Sequence, residues 1–333
     1  MRWAKKGIST IDHLTTHQYP SVFTLKSLPL ARILRVNLPT TIAGLSTEHI
    51  LEVTRSIGWG AAEILQTYYR GETPVGAQAG LNVQEGKDGP VTSADLAANH
   101  YILDRLTTAF GQDTFGYLSE ETYKALKSQA PFPEDWLWII DPLDGTRDFI
   151  DRTGEYALHI ALTYQGRPML TVVVCPELGK LYYATKGGGA FVETPDGTTT
   201  PLKVSRRDRP EDLVVVMSRT HRDDRFNQLL KQLPCQHQIA VGSVGGKIAA
   251  VVEQRADVYI SLSGKSAPKD WDMAAPELIL TEAGGQFTYA DETPLQYNRG
   301  DVNQWGCLIA SNGQHHTDLC TTARTLLAAI DAQ

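Results

Sequence analysis

The sequence predicts an α+β domain over residues 45–204 followed by an α/β domain over residues 205–333. The first part shows two amphipathic helical stretches and then short apolar runs at hairpin spacing, which is typical of an antiparallel sheet. The second part alternates short apolar runs with helical stretches, which is typical of an α/β arrangement. A length of 333 residues is sufficient for two domains of this kind.

Two helices are predicted at the start of the first domain. Ser46 or Thr47 can cap the first helix, which runs to about Tyr69 and carries an apolar stripe at helical spacing. Residues 71–90 are polar and rich in glycine, so a loop is predicted there. The second helix follows this loop, with Asp95 in its first turn, where the helix dipole favours a carboxylate.

Short apolar and β-branched runs predict the strands of both domains. In the first domain they occupy residues 115–118, 136–140, 156–164, 168–175, 180–185 and 190–192. In the second domain, strands are predicted at 212–217, 238–241, 258–261, 286–289 and 306–310, with helices at 223–233, 244–254, 272–283 and 317–332. The change of pattern near residue 205 places the predicted domain boundary.

The candidate site is organised around a segment that carries two carboxylates, Asp141 and Asp144. The apolar run before it predicts a buried strand that stops at Asp141, because Pro142 cannot continue a hydrogen-bonded ladder. Asp144 is a good N-cap for a helix whose first turn contains Thr146. Carboxylate and carbonyl oxygens suit Mg²⁺, and free N–H groups at a helix start suit a phosphate. For this segment alone, an Asx-turn with a helix cap is the structural alternative.

Further acidic residues lie at the ends of other predicted elements. Glu120 and Glu121 follow the strand at 115–118, Asp272 begins a helix of the second domain, and Asp95 begins the second helix. Each has a simple structural explanation when taken alone, as a solvated charge or a carboxylate at a helix start. Their joint recurrence at element ends predicts a shared site instead.

Together these motifs resemble the Mg²⁺-dependent, lithium-sensitive phosphatases of the inositol monophosphatase superfamily. The signatures are Asp141-Pro142-Leu143-Asp144-Gly145-Thr146 and Trp271-Asp272-x-Ala274-Ala275, supported by Val91-Thr92-x-x-Asp95 and Ser119-Glu120-Glu121. The resemblance covers roughly residues 46–312. It implies a layered αβαβα fold built from an α+β and an α/β domain, which agrees with the change of pattern near residue 205.

The resemblance also implies a phosphomonoesterase that uses two or three Mg²⁺ ions and an activated water. The implied metal ligands are Glu120, Asp141, Asp144, Asp272 and the carbonyl of Leu143. Asp95 and Thr146 are expected to orient the attacking water with support from Glu121, and Gly145 and Thr146 are expected to hold the phosphoryl oxygens. Metal ions supply what this hydrolysis needs, since they lower the pKa of bound water and neutralise charge on the leaving oxygen.

Four segments resemble 3′(2′),5′-bisphosphate nucleotidases more than inositol monophosphatases. They are Thr146-Arg147-Asp148-Phe149-Ile150, Gly154-Glu155-Tyr156, Ser218-Arg219-Thr220-His221-Arg222 and the Pro276 that follows the second signature. The implied reaction converts adenosine 3′,5′-bisphosphate to AMP and phosphate, with His221, Ser243 and Lys247 lining the nucleotide pocket. Arg147-Asp148 departs from the usual Lys-Glu of those enzymes.

Two alternatives stay open for the function. One is a phosphatase of the same fold that acts on inositol monophosphate or fructose 1,6-bisphosphate. The other, a non-catalytic binding protein, would be expected to lack a ligand, yet the acidic positions named above are all present.

The bulk composition restricts the partners. The formal net charge is −7, from 31 basic and 38 acidic residues, which argues against a nucleic-acid polymer and leaves a small phosphorylated substrate as the expected partner. No run of about 18 apolar residues occurs, so no membrane span is expected. The four cysteines are far apart, so neither a zinc site nor a disulfide framework is indicated, and a cytoplasmic location is expected. The oligomeric state is left open, with a homodimer as one allowed state.

Residues 1–44 differ from the rest of the chain, with six basic residues, one acidic residue and no clear hydrophobic period. They lack the apolar core and cleavage site of a secretory signal. We therefore expect a leader or disordered extension, or upstream sequence translated from a misplaced start. A transit-like segment that directs import into an organelle is the remaining alternative.

Overall fold

The computed structural model describes residues 39–76, 80–86, 89–123, 130–219 and 222–332. The helices within these ranges are α1 (Thr47–Tyr69), α2 (Ser93–Phe110), α3 (Glu120–Tyr123), α4 (Thr146–Ile150), α5 (Asp224–Gln232), α6 (Val244–Val252), α7 (Asp270–Glu282) and α8 (His316–Asp331). The first strands are β1 (Thr41–Ile42), β2 (Leu45–Ser46), β3 (Gln84–Gly86), β4 (Gly89–Val91), β5 (Phe115–Ser119), β6 (Trp136–Asp144), β7 (Ala157–Tyr164) and β8 (Arg167–Cys175). They are followed by β9 (Lys180–Thr185), β10 (Gly189–Glu193), β11 (Thr199–Pro201), β12 (Val214–Met217), β13 (His237–Ala240), β14 (Val258–Leu262), β15 (Gln286–Tyr289) and β16 (Cys307–Ser311).

The first large sheet has seven strands in the order β11-β10-β9-β8-β7-β6-β5. Its strands pair antiparallel from β6 to β11, as hairpin spacing predicted, and β5 runs parallel to β6. Along β6, Trp138 and Ile140 face one hydrophobic core while Leu137 and Ile139 face another. The strand is apolar at consecutive positions because helices cover both faces of the sheet.

The second sheet has five strands in the order β13-β12-β14-β16-β15. β12 is parallel to both β13 and β14, and β16 is antiparallel to β14 and β15. The alternation of strands and helices in the second half of the chain thus yields a mixed α/β sheet, as predicted.

Helices separate and cover the two sheets. α1 and α2 pack on one face of the seven-stranded sheet, and α6 and α7 pack on its other face. α6 and α7 also contact the five-stranded sheet, whose remaining face is covered by α5 and α8. The order helix, sheet, helix, sheet, helix confirms the predicted layered αβαβα fold, and residues Asn37–Gln333 form one compact unit.

Three sequence-based boundaries need correction. Residues 39–44 were assigned to an extension, but β1 pairs with β2, and Ile42 is buried in the core beside α1. Residues 71–90 were predicted as a loop, but the structure forms a hairpin there, from β3 to β4. Strand β6 does not stop at Asp141 but continues to Asp144. The rest of the predicted extension, residues 1–38, lies outside the described residues.

The four cysteines are buried and carry free thiols, which confirms that they form no disulfide framework. Burial raises the pKa of the Cys175 thiol to about 12, so this group is an unreactive part of the core. Among the described residues, no helix combines the length and the apolar character that crossing a membrane would need.

Candidate active site

A β-bulge places both carboxylates of the central segment in the same cavity. Asp141 pairs with His159 across β6 and β7, and Asp144 pairs with Ala157, so two residues of β6 oppose a single residue of β7. In a regular strand, residues three apart point to opposite faces of the sheet. The extra residue of the bulge resets this alternation, and Pro142 is tolerated because the ladder is interrupted there.

Gly145, rather than Asp144, is the N-cap of α4, which corrects the sequence prediction. Its φ of 88° lies in the left-handed region that favours glycine, and an added Cβ would lie 3.3 Å from both the Glu155 carbonyl oxygen and Ser243 Cβ. The Asp144 carboxylate is instead bound from the second half of the chain, because the Gly245 N–H donates to Oδ2 at 2.7 Å.

A cavity of about 700 Å³ opens at this point. Its lining includes the predicted ligands Glu120, Asp141, Leu143, Asp144 and Asp272, together with the positively charged side chains Arg147, Lys247 and Lys269. The cavity therefore lies where the ends of β5 and β6 meet the start of α7. The structure brings together residues that are up to 152 positions apart in sequence.

Crowding of like charges is clearest at Asp141, which is 1% exposed. Burial raises the pKa of Asp141 well above its ordinary value, and the neighbouring carboxylates Glu120 and Asp144 raise it further. One oxygen, Oδ1, accepts a hydrogen bond of 3.0 Å from the Leu143 N–H. Carboxylates crowded together with so little compensating positive charge favour the binding of a cation.

The carboxylates of Asp144 and Asp272 differ in their compensation. Burial alone would raise the pKa of Asp144, but His159 and Lys247 hold the pKa below its ordinary value. Burial and the charge of Asp144 raise the pKa of Asp272 to about 6, although the Lys269 N–H donates to its Oδ2 at 2.6 Å. α7 begins at Asp270, two residues earlier than predicted, so Asp272 lies in its first turn.

The donor set suits a hard cation but does not enclose one by itself. Within the described ranges, no three carboxylate, imidazole or thiol groups are arranged to hold a metal ion. Mg²⁺ usually keeps several waters and is held by one or two carboxylates together with substrate phosphates. An open arrangement with a carbonyl and several carboxylates is therefore compatible with this cation.

Asp95 and Thr146 meet at the edge of this group. The Thr146 hydroxyl lies 3.2 Å from Oδ1 of Asp95 and 3.1 Å from the Leu143 carbonyl oxygen. The other Asp95 oxygen closes a capping box with Thr92 at the start of α2. Burial raises the pKa of Asp95 to about 6, and the charge of Glu121 adds to this effect. Asp95 is thus rigidly held with one oxygen directed at Thr146.

Comparison with known proteins identifies the family of the chain. Residues 46–328 match the Inositol monophosphatase family. The chain belongs to the inositol monophosphatase family. The 3′(2′),5′-bisphosphate nucleotidase CysQ of Salmonella typhimurium is 35% identical over 235 residues, which cover 71% of this chain and 88% of that protein. CysQ of Aggregatibacter actinomycetemcomitans is 32% identical over 257 residues, 76% of this chain and 89% of that protein.

The fold agrees with solved structures of the inositol monophosphatase family. An IMPase from Thermotoga maritima superposes with a TM-score of 0.67 at 24% sequence identity, over 85% of this chain and 99% of that one. The resemblance predicted from the sequence signatures is therefore confirmed, and the matched region extends beyond the residues that the motifs covered.

The residues predicted to bind substrate in this family member are only partly brought together. Lys247 lines the cavity, although it is 2% exposed and its amine donates to the Gly242 carbonyl oxygen at 2.5 Å. Ser243 does not line the cavity, since its hydroxyl caps α6 by accepting from the Gly246 N–H at 3.0 Å. Glu121 also lies outside the cavity lining, beside Asp95. His221 lies outside the described residues.

Contacts of two residues, His159 and Glu155, were missed from the sequence. The buried ring of His159 lies with Nε2 3.0 Å from Oδ2 of Asp144. Glu155 binds the Gly242 N–H at 2.9 Å and forms an ion pair with Arg219, which joins two of the nucleotidase-like segments. The sequence signal for His159 was a polar ring within the apolar run 157–162, and burial of such a group requires a partner.

Proposed function

We propose that this chain is a 3′(2′),5′-bisphosphate nucleotidase that hydrolyses adenosine 3′,5′-bisphosphate to AMP and phosphate. The observation that carries the proposal is the group of four carboxylates, Glu120, Asp141, Asp144 and Asp272, in one cavity. Relatives named as bisphosphate nucleotidases, 31–35% identical over 71–77% of the chain, support the choice of substrate.

The cofactor of this proposal is Mg²⁺, as two or three ions. The four carboxylates and the Leu143 carbonyl would hold them, because hard oxygen donors are the ligands that Mg²⁺ prefers. When bound, the ions would supply a water of lowered pKa and neutralise charge on the phosphate ester. The raised pKa values of Asp141 and Asp272 support this assignment, since crowded carboxylates need compensating positive charge.

Asp95 and Thr146 would handle the proton of the attacking water. With its pKa raised to about 6 by burial, Asp95 is a suitable general base near neutral pH. Thr146 would give its hydroxyl proton to Asp95 and accept the proton of the water in turn. Glu121 would support this pair by holding the pKa of Asp95 up, and the N–H groups of Gly145 and Thr146 would hold the phosphoryl oxygens.

Recognition of the nucleotide would involve Lys247. Burial lowers the pKa of Lys247 to about 8, which leaves the amine largely charged at neutral pH and able to meet a phosphate. A cavity of about 700 Å³ is in the range of sites that bind small ligands. Because its hydroxyl is engaged in the cap of α6, Ser243 would contribute through the position of the helix start, and His221 remains a prediction.

A phosphate-release assay tests the proposal. Adenosine 3′,5′-bisphosphate, inositol 1-phosphate and fructose 1,6-bisphosphate are compared at equal concentration, with Mg²⁺, with Mn²⁺ or Ca²⁺, and with EDTA. We expect Mg²⁺-dependent release with the highest kcat/KM for the adenosine compound. Release that EDTA leaves unchanged would contradict the metal assignment, and equal kcat/KM for all three compounds would contradict the substrate.

The second candidate is a phosphatase for inositol monophosphate or fructose 1,6-bisphosphate, and the family to which the chain belongs favours it. A clear preference for either compound in the same assay would select this candidate. A non-catalytic binding protein would release no phosphate from any of them.

Location and assembly remain predictions. The buried free cysteines agree with a reducing compartment such as the cytoplasm, and a small phosphorylated molecule is the expected partner. A homodimer is one allowed assembly, and light scattering coupled to size-exclusion chromatography would measure the mass.

A further inference from the structure

His159 lies in the middle of β7 and is completely buried among apolar residues. Its ring contacts two polar groups from different layers of the fold. Nε2 lies 3.0 Å from Oδ2 of Asp144, and Nδ1 lies 3.1 Å from the carbonyl oxygen of Trp271. The ring therefore bridges the end of β6 and the first turn of α7, directly beside Asp272.

The same oxygen of Asp144 is approached from a third element. The Gly245 N–H at the start of α6 donates to Oδ2 at 2.7 Å. A Cβ at Gly245 would come within 2.6 Å of His159 Nε2, and within 2.8 Å of Ala157 Cβ. Only glycine allows α6 to come this close to β7. His159 and Gly245 therefore pack against each other, and both approach Oδ2 of Asp144.

We propose that His159 is a positioning residue that fixes the Asp144 carboxylate for metal binding, an inference that rests on the proposed function. Oδ2 accepts a hydrogen bond from the Gly245 N–H and lies in ion-pair contact with His159 Nε2, so the other oxygen, Oδ1, is left for the cavity that Asp144 lines. Through the Trp271 carbonyl, the same ring holds the backbone next to Asp272. His159 thus sets the spacing between two carboxylates that come from different layers.

A positioning role is distinguishable from a purely structural one because the two ring nitrogens can be replaced separately. His159→Gln keeps a donor near the position of Nε2 and so keeps the contact with Asp144. His159→Asn keeps a donor near the position of Nδ1 and so keeps the contact with Trp271. His159→Leu removes both contacts and fills the buried position with an apolar side chain.

Thr163 offers a matched control on the same strand. It is equally buried, and its hydroxyl donates to the Leu137 carbonyl oxygen at 3.0 Å, outside the residues that line the cavity. Thr163→Val therefore removes a buried hydrogen bond of β7 without touching any proposed metal ligand. Its effect on thermal stability measures the cost of such a loss alone.

The experiment titrates metal-free protein with Mg²⁺ and with Mn²⁺ by calorimetry, and records a melting curve, kcat and KM for each variant. We expect His159→Leu to weaken metal binding by about ten- to a hundredfold, the usual effect of removing a residue that orients a metal ligand. His159→Gln should recover most of this loss and His159→Asn less of it. At saturating metal, kcat should fall more than KM rises, and Thr163→Val should keep wild-type metal affinity.

Three results would overturn the inference. The first is wild-type metal affinity in His159→Leu or, if that variant does not fold, in His159→Asn. The second is a loss of metal affinity in Thr163→Val equal to that in His159→Leu. The third is a metal affinity in His159→Gln no better than that of His159→Leu. Calorimetry needs no substrate, so these results are independent of whether the adenosine compound is hydrolysed. If the wild-type protein binds neither cation, the proposed function and this inference fail together.

Discussion

The hydroxyl of Thr146 lies 3.2 Å from Oδ1 of Asp95, although the two residues are 51 positions apart in sequence. Each residue also holds a local role, since Asp95 closes the capping box of α2 and Thr146 is the first residue of α4. The local and the long-range contacts use different oxygens of the Asp95 carboxylate. The capping box at the start of α2 therefore positions the Asp95 carboxylate, which contacts Thr146 at the start of α4.

This contact predicts a catalytic effect of Thr146→Val. The variant keeps the shape of the side chain and loses the hydroxyl, so kcat should fall by about a hundred- to ten-thousandfold, the range for loss of proton transfer. Thr146→Ser keeps the hydroxyl and should retain most of the activity. Steady-state kinetics on adenosine 3′,5′-bisphosphate measures both, and a Val variant as active as the Ser variant would remove Thr146 from the proton path.

Asp144→Asn should abolish turnover while the protein stays folded. The change removes a metal-binding charge and keeps the volume of the side chain, so we expect kcat/KM to fall by about a thousandfold or more. Asp270→Asn is the matched control, because Asp270 in α7 is a buried carboxylate like Asp144 but lies outside the cavity lining. Its oxygens accept hydrogen bonds from the Gln304 side chain and the Asn298 N–H. This control variant should lower the melting temperature and keep turnover. Mg²⁺-dependent activity of Asp144→Asn within a few-fold of wild type would contradict the assignment.

Two N-terminal truncations, starting at Asn37 and at Gly44, should differ in thermal stability. Ile42 is 2% exposed and Thr47 N–H donates to the Thr40 carbonyl oxygen at 3.0 Å, so a protein that starts at Gly44 loses a buried side chain and a hydrogen bond. Loss of a buried Ile costs about 2–5 kcal/mol, which should lower the melting temperature. A protein that starts at Asn37 keeps both and should match the full chain. Equal melting temperatures for the two truncated proteins would contradict the packing of Ile42.

Lys247→Ala should separate recognition from chemistry. If Lys247 holds the phosphate that is not cleaved, removal of a charge-assisted bond worth about 1.5–3 kcal/mol lowers kcat/KM for the bisphosphate by about ten- to a hundredfold. Inositol 1-phosphate has no second phosphate, so its slow hydrolysis should change little. Parallel kinetics on the two substrates, with a melting curve, measures the difference. An equal loss on both would show that Lys247 acts on the carboxylates beside it, such as Asp144, instead.

Much of the fold follows from local patterns in the sequence. The helix at Thr47–Tyr69 and the strand at Lys180–Thr185 occur where hydrophobic periodicity and the capping residues predict them. The prediction was wrong at Pro142, where a proline was expected to end β6. A bulge lets the strand pass the proline, and such a bulge depends on the register of the neighbouring strand, which periodicity does not contain.

By itself, the sequence determined the family and the candidate metal ligands, because the motifs at 119–121, 141–146 and 271–275 keep their residues adjacent along the chain. Only the tertiary structure decided how these groups face one another. His159 reaches the Trp271 carbonyl across 112 positions, and no local pattern marks that contact. The physical reason is that hydrophobic periodicity reports the face on which a residue lies, whereas the packing of layers selects its partner on that face.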